Sequence, residues 1–286
     1  MLMTDGRPTA LWDGSAPGSE DWVHEEQTGS SAVSSAEIVR NVSVPTLTSF
    51  LPKTRSDRAV VVLPGGGMHF LSIENEGRSV AAHLRDAGIS AFLLKYRVVP
   101  TPEDDDAFVQ AISDAFRTGM DQASAAVIPL AAADAARAIE LVRAEGYEHV
   151  TLLGFSAGAR ITAEIVLRGA PQQQPDAVGI IYLPSIEVSE HTVALPPMFL
   201  LAAADDPLGI DGFLSLSAVW RSSNAPADMH MFARGGHGFG IASTGLPVDA
   251  WPGLFVSWLR SLNNSRTVSD PFVPQRSYSR SERLGP

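Results

Sequence analysis

Short apolar runs alternate with amphipathic segments along most of this chain. Ala59–Leu63 is an unbroken apolar run rich in valine, which is typical of a strand buried on both faces of a parallel sheet. The same reasoning predicts five further strands. The six predicted strands are Ala59–Leu63, Ser90–Tyr96, Val150–Leu153, Val178–Leu183, Met198–Ala202 and Met229–Phe232.

Helical periodicity separates these predicted strands. In one segment, Ala136, Ile139 and Val142 recur at helical spacing and define an apolar face. The predicted helices are Asn75–Ala87, Ala131–Ala144, Ala157–Leu167, Gly212–Arg221 and Ala250–Leu262. Because strands and helices alternate, we expect an α/β fold: a mostly parallel central sheet flanked by helices in a three-layer α/β/α sandwich.

The polar ends of the chain differ from this alternating region. Residues 1–36 are rich in Gly, Ser, Pro and acidic residues and predict an irregular arm packed on the domain. Residues 37–262 form the predicted domain, and residues 263–286 predict a flexible tail. Residues 98–127 show no clean period and are a candidate cap insertion. Within them, the acidic run Glu103–Asp106 is typical of a solvated loop.

Two contacts are expected outside any reactive site. Asp134 and Arg137 lie one helical turn apart, a spacing that favours a structural ion pair. Trp12 and Trp22 supply large apolar surfaces in the polar arm, so we expect them to pin it to the domain.

Composition narrows the classes of function. The 286 residues are 45% hydrophobic and 19% charged, as in a globular protein, and the net charge of −11 disfavours a nucleic-acid partner. There is no run of 18 apolar residues to span a membrane, and the polar start does not resemble a signal peptide, so we expect a cytoplasmic protein. The absence of cysteine excludes disulfides and thiol nucleophiles. The composition leaves a homo-oligomer open.

The strongest chemical signal is the segment Gly154-Phe155-Ser156-Ala157-Gly158. It has the pattern G-x-S-x-G, directly after a predicted strand and at the start of a predicted helix. This strand–turn–helix context predicts a nucleophile elbow, with Ser156 as the nucleophile. The alternative is a tight turn whose serine caps the helix.

A serine nucleophile needs a base, and the base needs an acid to orient it. Among seven histidines, His237 stands out because it lies in a glycine-rich loop, Gly235–Gly240, between the last predicted strand and the last helix. Asp205 and Asp206 follow the preceding strand. We favour Asp206 as the orienting acid and expect Asp205 to cap the turn. The chain order is then Ser, Asp, His, the order of α/β-hydrolases.

An oxyanion formed at Ser156 needs hydrogen-bond donors. The N–H of Ala157 is one candidate, and the glycine loop after the strand Ala59–Leu63 supplies Gly66 and Gly67. A phosphate-binding loop is the competing interpretation, but no G-K-S/T follows these glycines. Met68 and His69 are candidate pocket residues, although His69 also fits an ordinary loop histidine. We expect no metal and no cofactor.

Several segments together resemble the α/β-hydrolase superfamily, and within it the bacterial acetyl xylan esterase-like, or BD-FAE-like, lipases and esterases. The resemblance covers roughly residues 10–262. It rests on Leu11–Gly18, Val44–Thr48, Pro64–Gly67, Leu94–Arg97, Ala133–Ala138, Gly154–Gly158, Asp205–Pro207 and Gly235–Gly238.

The resemblance implies a serine carboxylesterase that hydrolyses short acyl esters, often acetyl, through an acyl-enzyme and without a metal. It assigns the triad to Ser156, Asp206 and His237, and the oxyanion hole to Gly66, Gly67 and Ala157. The expected partner is a small-molecule ester. The alternatives are another acyl hydrolase on this fold, such as a peptidase, thioesterase or acyltransferase, and a non-catalytic binding protein.

Overall fold

Eleven strands lie in residues 3–118, 122–188 and 194–262, the part of the chain that this computed structural model describes. They are β1 (Pro8–Ala10), β2 (Gln27–Ser31), β3 (Ser34–Arg40), β4 (Thr46–Phe50), β5 (Arg58–Leu63), β6 (Phe70–Leu71), β7 (Ser90–Lys95), β8 (His149–Phe155), β9 (Ala177–Ile181), β10 (Met198–Ala203) and β11 (Ala227–Phe232). All six predicted strands are present, with ends that differ by up to two residues.

The central sheet has eight strands in the order β1-β4-β7-β5-β8-β9-β10-β11. From β7 to β11 every neighbouring pair is parallel, whereas β1 and β4 add an antiparallel edge. Strands β2, β3 and β6 form a separate antiparallel sheet. The parallel strands place their carboxyl ends at one edge of the central sheet, which is where ligands bind in α/β folds.

Helices cover both faces of the central sheet. They are α1 (Ser79–Asp86), α2 (Asp105–Thr118), α3 (Gln122–Ala144), α4 (Ala157–Arg168), α5 (Ile210–Ser223) and α6 (Trp251–Ser261). Alternate side chains of β5 separate the two cores: Val60 and Val62 pack with residues of α1 and α6, whereas Val61 packs with residues of α3, α4 and α5. The predicted α/β architecture, with a mostly parallel sheet between helical layers, is confirmed.

The segment 98–127 contains a helix that the sequence reading missed. Helix α2 begins at Asp105, inside the acidic run expected to be a loop, because acidic residues favour the positive end of a helix. Its apolar face places Phe108 and Ile112 against Ile38 and Phe70, below the three-stranded sheet. The role of this segment as a cap stays a prediction.

The N-terminal arm is more regular than expected. Strand β1 joins the central sheet and β2 forms a hairpin with β3, so the predicted boundary at 36/37 falls inside β3. Polar β2 gave no apolar signal by which to predict it. The indole of Trp12 donates to Asp134 at 2.9 Å, and the ring of Trp22 packs against the main core, as expected of residues that pin the arm.

The predicted Asp134–Arg137 ion pair is wrong. Asp134 is fully buried and pairs with the equally buried Arg97 at 2.8 Å, which the sequence places 37 positions away. Arg137 instead pairs with Glu140 at 2.9 Å and donates to the carbonyl of Leu11. The cause is the direction of the Asp134 side chain, which faces the core rather than the outer surface of α3.

Two further observations concern membrane crossing and the C-terminal tail. Across the described ranges, every helix is too short or too polar to cross a bilayer. The predicted C-terminal tail, residues 263–286, lies outside the described residues.

Candidate active site

Ser156 occupies a sharp turn between β8 and α4. Its backbone has φ 48° and ψ −109°, a conformation that residues other than glycine rarely adopt. The turn brings its backbone close to β5: a Cβ on Gly158 would lie 2.1 Å from the carbonyl oxygen of Leu63. The G-x-S-x-G pattern therefore has a steric cause, and the side chain of Ser156 is held at the carboxyl edge of the sheet.

Three predicted residues form one hydrogen-bonded chain at this edge. The Oγ of Ser156 lies 2.8 Å from Nε2 of His237, and Nδ1 of His237 lies 2.8 Å from Oδ2 of Asp206. Asp206 is fully buried, whereas the His237 side chain is 22% exposed. The arrangement can move a proton from the serine hydroxyl to the imidazole, beside a carboxylate that stabilises the resulting cation.

Asp206 stays ionised in this setting. Burial alone would raise the pKa of its carboxyl, but the hydrogen bond and charge of His237, with the amides of Leu208 and Gly209, outweigh burial and lower the pKa below its usual value. An ionised Asp206 at Nδ1 favours the tautomer of His237 whose Nε2 accepts a proton from Ser156.

The side chain of Asp205 binds the histidine loop, whereas the sequence predicts that it caps its own turn. Its Oδ1 accepts hydrogen bonds from the backbone N–H groups of Gly235, at 3.0 Å, and Gly236, at 2.8 Å. The two glycines precede His237 in the glycine-rich loop. Asp205 therefore fixes the loop that carries the histidine, while the adjacent Asp206 fixes the imidazole itself.

The glycine loop after β5 supplies free amide donors. Gly66 has φ 132°, and a Cβ there would lie 2.0 Å from the carbonyl oxygen of Phe70, so only glycine fits this turn. Within the described part of the chain, the N–H groups of Gly66 and Gly67 have no hydrogen-bond acceptor. Ala157 begins α4, where the first N–H groups of a helix lack an intrahelical partner.

A cavity of about 250 Å³ opens between this loop and Ser156. Its walls come from five places in the chain: the β2–β3 hairpin, the segment from the glycine loop to Ser72, the turn before α1, the serine turn and the histidine loop. The lining residues are Val33, Ser34, Gly66, Gly67, Phe70, Ser72, Asn75, Glu76, Ser156, His237 and Gly238. Val33 and Ser34 were missed by the sequence reading, which offers no signal for a contact between the arm and Ser156.

Met68 and His69 are not in this lining. Met68 is fully buried and belongs to the main core cluster. The imidazole Nδ1 of His69 lies 2.7 Å from the carbonyl oxygen of Gly67, so the ring folds back on its own loop. The prediction that the two residues line the pocket is therefore wrong for the cavity at Ser156, and the alternative of a loop histidine fits His69.

A buried acid, Glu76, reaches the same cavity and had no role in the sequence reading. It lies in the turn Glu74–Arg78, which leads into α1, and is 4% exposed. One of its oxygens accepts from the N–H of Gly65 at 2.6 Å, and the other accepts from the hydroxyl of Tyr182 at 2.7 Å. A polar residue inside a helical period ordinarily indicates a solvent-facing position, so no sequence pattern distinguishes Glu76 as a site residue.

Two features lie at the opposite edge of the sheet. Asp57, Glu148 and His149 place ligand-type atoms within 4.8 Å of one another, at the starts of β5 and β8. A cavity of about 280 Å³ lies nearby and is lined by residues such as Arg58 and Thr151. Because β8 separates this edge from Ser156, neither feature takes part in the arrangement described above.

The sheet order, the serine turn and the position of the histidine loop define a class of protein. The chain has the α/β-hydrolase fold. It is similar to the acetylxylan esterase of Xylanibacter ruminicola, with 25% identity over 249 residues that cover 74% of this chain and 47% of that protein. The chain thus spans about half the length of this curated relative. No protein-family model matches it.

Solved structures share the fold. An acetyl ester-xyloside bifunctional hydrolase from Caldicellulosiruptor lactoaceticus superposes with a TM-score of 0.64 and 22% identity, covering 92% of this chain and 98% of that one. Esterase 2 from Thermogutta terrifontis, phosphonylated by cyclosarin, gives a TM-score of 0.59 and 18% identity, covering 86% and 95%. At such identities the likeness demonstrates the fold alone.

Proposed function

We propose that this protein is a serine carboxylesterase that hydrolyses short-chain acyl esters of the acetyl type through an acyl-enzyme. The observation that carries the proposal is the chain of 2.8 Å contacts from Ser156 through His237 to Asp206. The esterase names of the sequence relative and of the structural neighbours support the same class of reaction.

In the first half of the reaction, Ser156 Oγ attacks the ester carbonyl carbon while His237 Nε2 takes the hydroxyl proton. A bond forms between Oγ and carbon, and the carbonyl electron pair moves to the oxygen. When the tetrahedral intermediate collapses, His237 returns the proton to the leaving alcohol and the acyl group stays on Ser156. Asp206 orients the imidazole and stabilises its cationic form.

In the second half, water replaces the alcohol. His237 removes a proton from the water, the hydroxide attacks the acyl carbon, and the carboxylic acid leaves as Ser156 regains its proton. Both tetrahedral intermediates carry a negative oxygen, for which the free N–H groups of Gly66 and Gly67, with that of Ala157, are the proposed donors.

The size of the cavity supports a short acyl group. The cavity of about 250 Å³ is slightly smaller than the usual ligand pocket of about 300–1,000 Å³, and Val33 and Phe70 add apolar surface to its walls. The relative named an acetylxylan esterase and the neighbour named an acetyl ester-xyloside hydrolase both support acetyl among the short acyl groups.

The test compares p-nitrophenyl acetate with butyrate and octanoate esters, and with a thioester and an amide of the same acyl group. We expect kcat/KM to fall steeply as the acyl chain lengthens, and the ester to be favoured over the amide. Ser156→Ala should lower kcat on the order of 10⁶-fold. Ser222→Ala is a matched control because Ser222 is exposed on α5, away from the site.

The outcomes separate the candidate functions. Preference for the amide or the thioester at equal acyl length would replace the esterase proposal with a peptidase or thioesterase. Wild-type turnover in Ser156→Ala would refute the mechanism. A folded wild-type protein with no turnover of any substrate and no reaction with a fluorophosphonate would support a non-catalytic binding protein.

A further inference from the structure

Glu76 is a buried acid beside the site that the proposed reaction does not use. Among the described residues, no arginine, lysine or histidine forms an ion pair with it. Its two oxygens are instead satisfied by neutral donors, the N–H of Gly65 and the hydroxyl of Tyr182. Burying a carboxyl group without a cation is costly, so a purely structural position would be better filled by an apolar residue.

The two donors belong to the two halves of the site. Gly65 opens the glycine loop and is followed directly by Gly66 and Gly67, the proposed oxyanion donors. A Cβ on Gly65 would lie 2.6 Å from Oε2 of Glu76 and 2.8 Å from the Cβ of Ser156, so the carboxyl, the loop and the nucleophile meet at one point.

Tyr182 connects Glu76 to the histidine side. Its hydroxyl accepts a hydrogen bond from the N–H of Gly240, at 3.2 Å, in the loop that carries His237. Its ring lies 5.0 Å from the His237 ring, measured between centroids. A continuous chain of hydrogen bonds therefore runs from the glycine loop through Glu76 and Tyr182 to the histidine loop.

We propose that Glu76 is a positioning residue that holds the oxyanion donors and His237 in register with each other. The proposal rests on the esterase function proposed above. Glu76 touches neither His237 nor the reacting atoms, so it acts through Gly65 on one side and through Tyr182 on the other.

A carboxylate satisfies both neighbours in the directions that the structure shows. Gly65 N–H and the Tyr182 hydroxyl both donate, and an ionised carboxylate offers acceptors alone. A glutamine at this position offers one acceptor oxygen and one NH₂ group, so it cannot accept from both neighbours, and the Tyr182 hydroxyl would have to turn its proton away from it. Glu76→Gln thus changes the hydrogen bonding while preserving the volume of the side chain.

Titratable groups approach Glu76 from three elements. Tyr182 follows β9 and bonds Glu76 directly. Tyr96 follows β7, and its hydroxyl donates a hydrogen bond to the carbonyl oxygen of Pro64. His237 lies in the loop after β11, with Asp206 on the far side of its ring. Burial raises the pKa of Glu76, and the bonds from Tyr182 and Gly65 with the charge of His237 oppose the rise. On acidification Glu76 gains a proton and loses one of its two acceptor roles.

The experiment compares wild type with Glu76→Gln, Tyr182→Phe and the double variant, using Glu74→Gln as the control. Glu74 lies in the same turn, but it is half-exposed and pairs with Arg78. For Glu76→Gln we expect kcat on p-nitrophenyl acetate to fall about 10²-fold, as when one oxyanion donor is lost, with KM within about twofold. Because both single variants break one chain, the double variant should lose less than the product of the two.

Two further readouts distinguish positioning from a general loss of stability. In wild type, kcat/KM should fall more steeply on acidification than in Glu76→Gln, because the variant lacks the second ionisation. Amide hydrogen exchange of the folded proteins should rise in both segments 64–70 and 235–242 for Glu76→Gln, and in neither for Glu74→Gln.

Each outcome supports or overturns the positioning role of Glu76. Wild-type kcat and wild-type exchange in Glu76→Gln, while Ser156→Ala is inactive, would overturn the role of Glu76 and leave the esterase proposal intact. Faster exchange in only one of the segments would overturn the coupling. If wild type hydrolyses no ester, the esterase proposal fails, and exchange in both segments still decides whether Glu76 connects the loops. If Glu76→Gln does not fold, Tyr182→Phe carries the same exchange test.

Discussion

Asp206 and Asp134 are both fully buried aspartates, yet their surroundings differ in kind. Asp134 faces Arg97, whose guanidinium is always charged and binds both carboxylate oxygens, at 2.8 and 2.9 Å. Asp206 faces His237, whose charge appears only when it takes a proton. One region therefore contains a permanent ion pair and the other contains a pair whose charge changes during the proposed reaction.

The difference distinguishes a buried acid that contributes to stability, Asp134, from one that the proposed reaction uses, Asp206. Arg97 also donates to the carbonyl of Pro17 and to the hydroxyl of Ser19, so the Asp134 cluster connects the N-terminal arm to α3. The partners of Asp206 are His237 and the backbone of the turn after β10. Removing each carboxylate should therefore damage a different property of the protein.

The largest effect is expected for a substitution of Asp206, and it should appear in kcat. Asp206→Asn should lower kcat about 10⁴-fold, because an amide no longer holds His237 in the required tautomer. The folded protein should persist, since an asparagine is isosteric with aspartate. Steady-state kinetics with p-nitrophenyl acetate and a urea unfolding curve measure the two properties. A kcat within tenfold of wild type would mean that Asp206 does not orient the base.

On the structural side, Asp134→Asn should leave the buried Arg97 without its counter-charge. We expect the free energy of unfolding to fall by about 3–5 kcal/mol, as when one partner of a buried ion pair is removed. For the fraction that remains folded, kcat should stay near the wild-type value. Urea unfolding followed by Trp fluorescence measures the loss. An unchanged midpoint, or a large fall in kcat without loss of stability, would reverse the comparison.

Asp205 provides an intermediate case beside Asp206. Asp205→Ala removes the acceptor for the N–H groups of Gly235 and Gly236 but leaves the imidazole contact intact. We expect kcat to fall about tenfold, with restoration in Asp205→Asn, which keeps one acceptor oxygen. If alanine and asparagine behaved alike, the loop contact would have no effect on turnover.

The smallest effect is expected for Asp249, a half-exposed acid that accepts hydrogen bonds from neutral groups. The hydroxyl and N–H of Thr244, with Ser243 and Gly245, lower its pKa from 3.8 to about 2. A lowered folded-state pKa contributes stability above the unfolded value, and that stability disappears as pH falls through the folded value. The advantage of wild type over Asp249→Asn should therefore be small and constant above about pH 4, and should shrink towards pH 2. Thermal unfolding of both proteins across this pH range measures the difference in stability. A difference that stays constant down to pH 2 would contradict the lowered pKa of Asp249.

Local patterns explain what could be predicted from the sequence. The apolar run Ala59–Leu63 reads as a buried strand because the sheet covers both of its faces, and the turn at Ser156 needs glycine at Gly158 for steric reasons. These requirements act within a few residues, so they are visible in the chain itself. Helix α2 had a similar signal in Phe108 and Ile112, which the neighbouring acidic run obscured.

Contacts between distant segments could not be predicted in this way. Arg97 and Asp134 are 37 positions apart, and Glu76 and Tyr182 are 106 apart, so no periodic pattern connects either pair. For Asp134 the local rule even favoured the wrong partner, Arg137. Buried polar pairs depend on which side chains the completed fold brings together, and only the structure provides that information.

The central claim is that Ser156 is the nucleophile and His237 its base, and reaction with a fluorophosphonate tests it without assuming a substrate. Mass spectrometry of the treated protein should find one adduct, on the peptide that contains Ser156. Labelling should be absent in Ser156→Ala and should be much slower in His237→Ala. A folded wild-type protein that forms no adduct, or equal labelling of Ser156→Ala, would contradict the account.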